Sequence, residues 1–420
     1  MDKLNALLPR SGSSLFSLHL GLDSAGAKQM LGDVISAVHP HAHRLAYLRI
    51  TVHDTTYVAW IMDDLSFPNL RALCVQHGDN MLGAWFGGSE DMPLDIVLTL
   101  TQQKTPALKR LTLTGSVQFQ PEGNLSTLRT LRFWCSDIQG FVRAVLPCPN
   151  IQELDVELDY TDPNAWQVGS IAALWPAAAS RAAQISAVRL KGIDDAQHSV
   201  IMTLFVSHVT RHSLVLSYAD SVTDDSTEWN DAILGVFSHL NGHLVDFTIR
   251  SVPSIRYREE IVTLSAICAE GLHREVEVAV TQPGPPIIAT LFDKYQSRTS
   301  VRSLTLDASL WRTFLRSCGT LPILEDVVVQ FRGGPHTSTF GGDTTTTGAP
   351  SVWPGLRTLK LVGVENVRPV LIVQTVLLAI RTLDLPHKMQ SLHFERIDLL
   401  GPLHEFAQMD VAQQIFLPRC

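Results

Sequence analysis

Apolar and polar residues alternate in short segments that recur along the whole chain. Two such segments, residues 128–133 and 151–156, flank a stretch in which apolar residues recur at three- and four-residue spacing. A period of two predicts a strand with one buried face, and the wider spacing predicts a helix with one buried side. We therefore expect residues 128–158 to form a strand, a short helix that ends at Pro147, and a second strand parallel to the first.

The same L-x-x-L-x-L pattern, with Ile, Val, Phe or Met in place of some Leu residues, recurs at a mean interval of about 29 residues. The segments begin at Leu15, Leu45, Leu70, Leu108, Leu128, Ile151, Ile185, Arg211, Leu244, His273, Val301, Leu324, Leu356 and Met389. The intervals are uneven, and the segments at Arg211 and His273 lack the first apolar residue. Proline precedes several segments, where a helix must end and a missing N–H is tolerated.

One strand and one helix cannot bury their apolar faces alone, so units of this kind must stack. The pattern predicts an α/β leucine-rich-repeat-like solenoid over residues 1–420, an open horseshoe with a parallel sheet on the concave side and short helices on the convex side. The Gly- and Thr-rich stretch 332–354 interrupts the pattern and is expected to be a flexible surface loop.

Composition restricts the classes of partner. The chain has 33 basic and 41 acidic residues, a net charge of −8 and no basic block, which argues against nucleic-acid binding. The longest apolar run, residues 367–380, is shorter than the roughly 20 residues that a bilayer requires, and we interpret it as a buried helix. Six scattered cysteines without C-x-x-C pairs, and no signal peptide, favour reduced thiols in the cytoplasm or nucleus.

Sequence motifs for catalysis and cofactor binding are missing. The chain contains no G-x-S-x-G, G-x-G-x-x-G or G-x-x-x-x-G-K-[ST] pattern. The histidines of residues 39–43 are the densest metal-like cluster, but a solvated joint explains them better than a site that would need further ligands. We therefore expect no enzyme activity, no cofactor and no metal, and a monomer that binds another protein.

The candidate binding residues lie on the face of the strands opposite the apolar core. Aligning adjacent segments gives two outward columns, one through Thr112, Arg132, Asp155 and Arg189 and one through Thr114, Trp134, Glu157 and Lys191. Two interpretations remain open. The charges could neutralise one another across neighbouring strands, or Trp134 could be an aromatic anchor within a charged rim.

Farther along the chain, the alignment places Val215, Thr248 and Glu277 in one outward column, and it places Arg250 in the second column. These columns carry no single sign of charge, which favours a mixed protein or peptide surface over a polyanion. The candidate partner-binding residues are Arg132, Trp134, Asp155, Glu157, Arg189, Lys191 and Arg250.

Several short motifs resemble basidiomycete fungal F-box/leucine-rich-repeat proteins. The run of residues 8–14, LPRSGSS, leads into a strand at 18–20, and it is followed by HAHRL at 41–45 and FPNL at 67–70. The joint PCPNI at 147–151 is similar to the C-P-x-L joint of that family. The resemblance extends over most of the chain, although each motif is short.

The resemblance implies the substrate-recognition part of an F-box protein in a cullin-type ubiquitin ligase. The family-like run starts so close to Met1 that a three-helix F-box has no room before it. We therefore expect contact with the cullin ligase adaptor only if an F-box is supplied from outside this sequence. The alternative is a free-standing interaction scaffold with no ubiquitin link, and an enzyme without a recognisable motif is less favoured.

Overall fold

The structure, a computed structural model, divides the chain into two compact units, Met1–Arg211 and His212–Cys420. The described residues are 8–10, 12–22, 27–52, 58, 61–62, 65–77, 96–115, 117–158, 163–206, 211–222, 235–238, 240, 243–253, 260–280, 299–332, 352–364, 368–383 and 385–417. Each unit combines a largely parallel sheet with short helices, which agrees with the predicted α/β class. The repeat assignment and the single solenoid remain predictions.

The strands of the first unit are β1 (Phe16–Leu22), β2 (Leu45–Val52), β3 (Ala72–His77), β4 (Ile96–Thr101), β5 (Arg110–Thr114), β6 (Val117–Glu122), β7 (Thr130–Cys135), β8 (Glu153–Leu158) and β9 (Ala187–Ile193). In the larger sheet all described neighbouring strands run parallel, in the order β1-β2-β3-β5-β7-β8-β9. Strands β4 and β6 form a separate parallel pair that the sequence pattern did not predict. The helices are α1 (Ala27–Val38), α2 (Ile138–Val145), α3 (Trp175–Gln184) and α4 (Asp195–Ile201).

The strands of the second unit are β10 (Ser213–Val222), β11 (Val245–Pro253), β12 (Glu260–Cys268), β13 (His273–Val280), β14 (Val301–Asp307), β15 (Asp326–Phe331), β16 (Thr358–Gly363), β17 (Val370–Ile372), β18 (Met389–Glu395), β19 (Asp398–Leu400) and β20 (Ala412–Phe416). The larger sheet has the order β10-β13-β12-β11-β14-β15-β16-β18-β20, and β17 and β19 form a separate pair. The helices are α5 (Trp311–Cys318), α6 (Val373–Arg381) and α7 (His404–Met409).

Strand β12 corrects the prediction of a purely parallel sheet. It runs antiparallel to both β11 and β13, so β13 lies next to β10 and the spatial order of the strands departs from the chain order. The connections on either side of β12 are short, and short connections join antiparallel strands, whereas a parallel crossover needs a dozen or more residues. The alternating buried residues Val262, Leu264 and Ala266 were a signal for this strand.

The segment from β7 to β8 confirms the predicted strand, helix and strand. Helix α2 begins after Asp137, whose carboxylate accepts the N–H of Gly140 at 2.6 Å, and it ends at Val145, before Pro147. The ring of Phe133 on β7 stacks on Phe141 of α2 at a centroid distance of 6.4 Å. The core of this segment therefore lies between the inner face of the strands and the helix, where neither element could bury its apolar side alone.

The joints before the strands are tight turns with proline in the second position. The N–H of Ile151 donates to the carbonyl of Cys148 across Pro149, and Leu356 donates to Trp353 in the same way across Pro354. Proline suits this position because its fixed φ matches the turn. These proline-containing turns thus lie directly before a strand, as the sequence indicated.

Three repeat positions depart from the expected apolar pattern. Arg211 stands where the pattern requires Leu, yet its side chain is buried and donates to the carbonyls of Ile185 and Ala182 at 2.9 and 2.8 Å. A buried arginine is tolerated where its donors bind backbone carbonyls. Leu15 and Leu244, predicted to be buried, are 47% and 51% exposed, and each directly precedes a strand.

Most of the predicted surface loop, residues 333–351, lies outside the described residues. Its last part is packed, since Trp353 is fully buried and contacts Trp311 edge to face at 5.8 Å. The apolar run that was expected to be one helix forms strand β17 followed by helix α6. Among the described residues, none of the helices combines the length and the hydrophobicity needed to cross a membrane.

Candidate functional site

Strands β7, β8 and β9 align the candidate residues as the sequence predicted. Their register pairs Arg132 with Asp155 and Asp155 with Arg189 in one column. A second column pairs Trp134 with Glu157 and Glu157 with Lys191. We call these six residues the β7–β9 face. Adjacent parallel strands are about 4.8 Å apart, so the side chains paired across β7 and β8, or across β8 and β9, are immediate neighbours.

The β7–β9 face is the polar side of strands whose other side forms the core. On β7 the buried residues Leu131 and Phe133 alternate with the half-buried residues Arg132 and Trp134. On the neighbouring strands Glu157 and Arg189 are exposed and Lys191 is half-buried. Strand alternation alone places these side chains, because successive residues point to opposite faces of a sheet.

The charges on this face are only partly paired. Arg132 Nε lies 3.6 Å from Asp155 Oδ2, and both side chains are partly exposed. Within the described part of the chain, no ion pair joins Asp155 to Arg189 or Glu157 to Lys191. Mutual neutralisation is therefore found at one of the predicted pairs, while Glu157, Arg189 and Lys191 present charge around Trp134.

The same outward side continues over β3 and β2 with uncharged and basic groups. Arg49 donates to the side-chain carbonyl of Gln76 at 2.8 Å, and Cys74 lies between Arg49 and Thr112 in the strand register. Burial raises the pKa of the Cys74 thiol, and the positive charges of Arg49 and Arg132 offset part of this effect. The thiol is therefore neutral near pH 7.

The seventh candidate, Arg250, lies in the second unit and is not part of the β7–β9 face. It is exposed on β11, and its positive charge acts on the buried carboxylate of Asp307. Asp307 accepts the N–H of Ser251 at 2.7 Å and pairs with Arg332 at 3.2 Å. Burial nevertheless raises the pKa of Asp307.

The column alignment predicted for the second unit is wrong at β13. Val215 pairs with Glu275, and Glu277 pairs with Ser217, so the alignment was displaced by two residues. Thr248 contacts Ser265 of β12 rather than a residue of β13. The unpredicted antiparallel strand is the cause, because it separates β11 from β13.

A serine and histidine network that the sequence reasoning missed joins three of these strands. His273 Nδ1 lies 3.2 Å from the hydroxyl of Ser213, and Nε2 lies 3.1 Å from the hydroxyl of Ser265 and 3.5 Å from Glu275. A hydroxyl beside an imidazole is a possible nucleophile and base pair. Both ring nitrogens contact serine, however, in the middle of a hydrogen-bonded sheet, and this network fastens β10, β13 and β12 together.

A cleft of about 360 Å³ lies beside β16 and β18 in the second unit. Its lining residues are Lys360, Arg368, His393, Phe394, Glu395, Arg396 and Leu417. Lys360 pairs with Glu395 and lowers the pKa of that carboxyl through a hydrogen bond and its charge. Arg396 lies 3.9 Å from the same carboxylate, and Arg368 pairs with Asp398 at 3.7 Å. None of the lining residues was a predicted candidate.

The histidines of residues 39–43 lie in a 3₁₀ turn, His39–Arg44, and do not converge as metal ligands. Throughout the described residues, three or more metal-ligating side chains meet only at His243, Cys268 and Glu270. The sequence analysis missed this group because its members are far apart in the chain and meet through the unpredicted strand β12.

Comparison with known proteins gives no family assignment. No protein-family model matches the sequence, and no curated protein matches it.

Proposed function

We propose that the β7–β9 face recognises another protein without catalysis. The observation that carries the proposal is the half-buried Trp134 next to Glu157, with Lys191 on the following strand. Neither Glu157 nor Lys191 is ion-paired within the described chain. Tryptophan and arginine dominate the binding energy of many protein interfaces, and a charged rim supplies specificity. Both signs of charge are present, which favours a protein surface or peptide of mixed charge over a polyanion.

The resemblance to F-box/leucine-rich-repeat proteins supports a more specific role, that of the substrate-recognition part of a cullin-type ubiquitin ligase. In this role the chain acts in the cytoplasm or nucleus as a monomer, and the adaptor binds through an F-box supplied with it. A free-standing scaffold that binds through the same face, with no ligase attached, is the second candidate. It rests on the same exposed residues and does not require an F-box.

Affinity purification of the tagged chain from its native host, with mass spectrometry of the bound proteins, tests the proposal. The informative variants are Trp134→Ala and Lys191→Glu, and the matched control is Arg143→Glu on the exposed side of helix α2. We expect a partner that is recovered with the wild type and the control and is reduced at least tenfold with either variant.

An unchanged set of partners with both variants would refute recognition by this face. Recovery of the cullin ligase adaptor with the wild type would support the ligase role. Recovery of a Trp134-dependent partner without the adaptor would support the scaffold.

A further inference from the structure

Three potential metal ligands converge at one end of the β11–β12 pair in the second unit. The antiparallel register ends with the pair Val245 and Cys268. His243 lies two residues before β11 begins, and Glu270 lies two residues after β12 ends, so both flank the end of the pair at which Cys268 lies. One ligand atom from each lies within 4.8 Å of the others.

Backbone hydrogen bonds hold His243 and the residues around Glu270. The N–H of His243 donates to the carbonyl of Leu240 at 3.1 Å. Glu270 lies in the turn between β12 and β13, which is closed by a 2.9 Å hydrogen bond from the Gly271 N–H to the Cys268 carbonyl. Gly271 has φ +80°, a conformation that glycine adopts without strain. The side chains thus extend from defined backbone positions rather than from long loops.

The three groups already contact one another. His243 Nδ1 lies 3.0 Å from Glu270 Oε2. The Cys268 thiol and the His243 ring both hydrogen-bond the Glu270 carboxylate and hold its pKa below the ordinary value. The group is accessible on one side only, since Cys268 is buried whereas the side chains of His243 and Glu270 are 35% and 57% exposed.

We propose that His243, Cys268 and Glu270 form a binding site for a divalent, borderline-soft cation, best matched by Zn²⁺. Zinc prefers sulfur, imidazole and carboxylate ligands at about 2.0–2.3 Å, so tetrahedral ligand atoms are roughly 3–4 Å apart. The 3.0 Å between His243 and Glu270 fits this range, and the Cys268 sulfur lies within 4.8 Å of both. Binding displaces the thiol proton of Cys268, because the thiolate is the zinc ligand. Three protein ligands leave a fourth position, on the exposed side, for water or a donor atom of a partner.

Zinc binding to the full, untagged chain tests the site, because a polyhistidine tag would itself bind the metal. We expect calorimetry after chelator treatment to show one Zn²⁺ per chain, and Co²⁺ in its place to give a thiolate-to-metal absorption band. Cys268→Ser should abolish the band, and His243→Ala and Glu270→Gln should each weaken Zn²⁺ binding at least tenfold.

The matched controls are Cys74→Ser, a thiol in the first unit, and His387→Ala, an exposed histidine in the second. Both should bind Zn²⁺ as the wild type does. His243 and Glu270 are partly exposed, so their variants should keep the wild-type circular dichroism spectrum. Stoichiometric binding that survives Cys268→Ser, equal loss in the controls, or no Zn²⁺ uptake by the wild type would overturn the proposal. The site is independent of the function proposed for the β7–β9 face.

Discussion

The side chain of Arg181 binds the backbone carbonyl of Cys148 through two nitrogens, Nε at 3.2 Å and Nη2 at 2.9 Å. Its Nη2 also donates to the carbonyl of Ile151 at 3.0 Å. One buried guanidinium on helix α3 thereby satisfies two carbonyls of the turn that precedes strand β8. Arg211 likewise donates to the carbonyls of Ala182 and Ile185 before β9, so a buried arginine binds the turn before each of two consecutive strands.

Replacing Arg181 with methionine should lower the free energy of unfolding by about 2–4 kcal/mol. The buried carbonyls of Cys148 and Ile151 would lose a charged donor, and burial prevents water from replacing it fully. Urea unfolding followed by circular dichroism measures the change. The control Arg143→Met, at an exposed position on α2, should stay within about 0.5 kcal/mol of wild type. Equal stability of the two variants would contradict the structural role of Arg181.

The buried Cys148 thiol should make stability fall at alkaline pH. Burial raises its pKa from 9.0 to about 12, so the unfolded chain loses the proton first as the pH rises. The contribution of the neutral buried thiol to the free energy of unfolding is therefore complete below pH 9.0, and it falls by about 1.4 kcal/mol per pH unit as the pH rises towards 12.

Cys148→Ala removes this titration. The difference in unfolding free energy between wild type and variant should therefore narrow from about pH 8 to about pH 10, which lie on either side of the unfolded pKa of 9.0. Urea unfolding at the two pH values measures the gap. The non-titrating core variant Val145→Ala should give a gap that does not change with pH. A constant gap for Cys148→Ala would exclude the proposed linkage.

Leu131→Asp should prevent stable folding of the first unit. Leu131 is fully buried on β7, its burial contributes about 1.5–3 kcal/mol, and an unpaired buried charge costs more. The control Thr112→Asp places the same charge on the outward side of β5, where the residue is half-buried. We expect thermal melting to show a large loss for Leu131→Asp and a small one for the control. An unchanged melting curve would mean that Leu131 does not face the core.

Gly363→Ala should destabilise the second unit by about 1–3 kcal/mol. A Cβ atom at this position would lie 2.3 Å from the carbonyl oxygen of Arg396 and 2.8 Å from Cδ of Pro369, so the backbone would have to move. Gly169→Ala is the matched control, because its Cβ meets no atom within 4 Å. Chemical unfolding should separate the two variants, and equal stability would contradict the close approach of the two backbones.

The β7–β9 face could be predicted because it depends on local alternation and on a constant offset between consecutive strands. Arg132, Asp155 and Arg189 align once each apolar pattern is assigned to the core. The second unit could not be aligned in this way. There β12 returns antiparallel between β11 and β13, so Glu277 pairs with Ser217 and Thr263 instead of lying in one column with Val215 and Thr248.

The sequence by itself determined the α/β class, the strand, helix and strand of residues 130–158, and the outward position of Trp134. These features follow from the period with which side chains alternate in a strand or recur on one side of a helix. Tertiary structure alone decided which distant groups meet. The order of β10 to β14 brings Cys268 to His243, and the packing of α3 brings Arg181 to the carbonyl of Cys148. Such contacts depend on which strands pair and how helices pack against them, and local periodicity does not encode that choice.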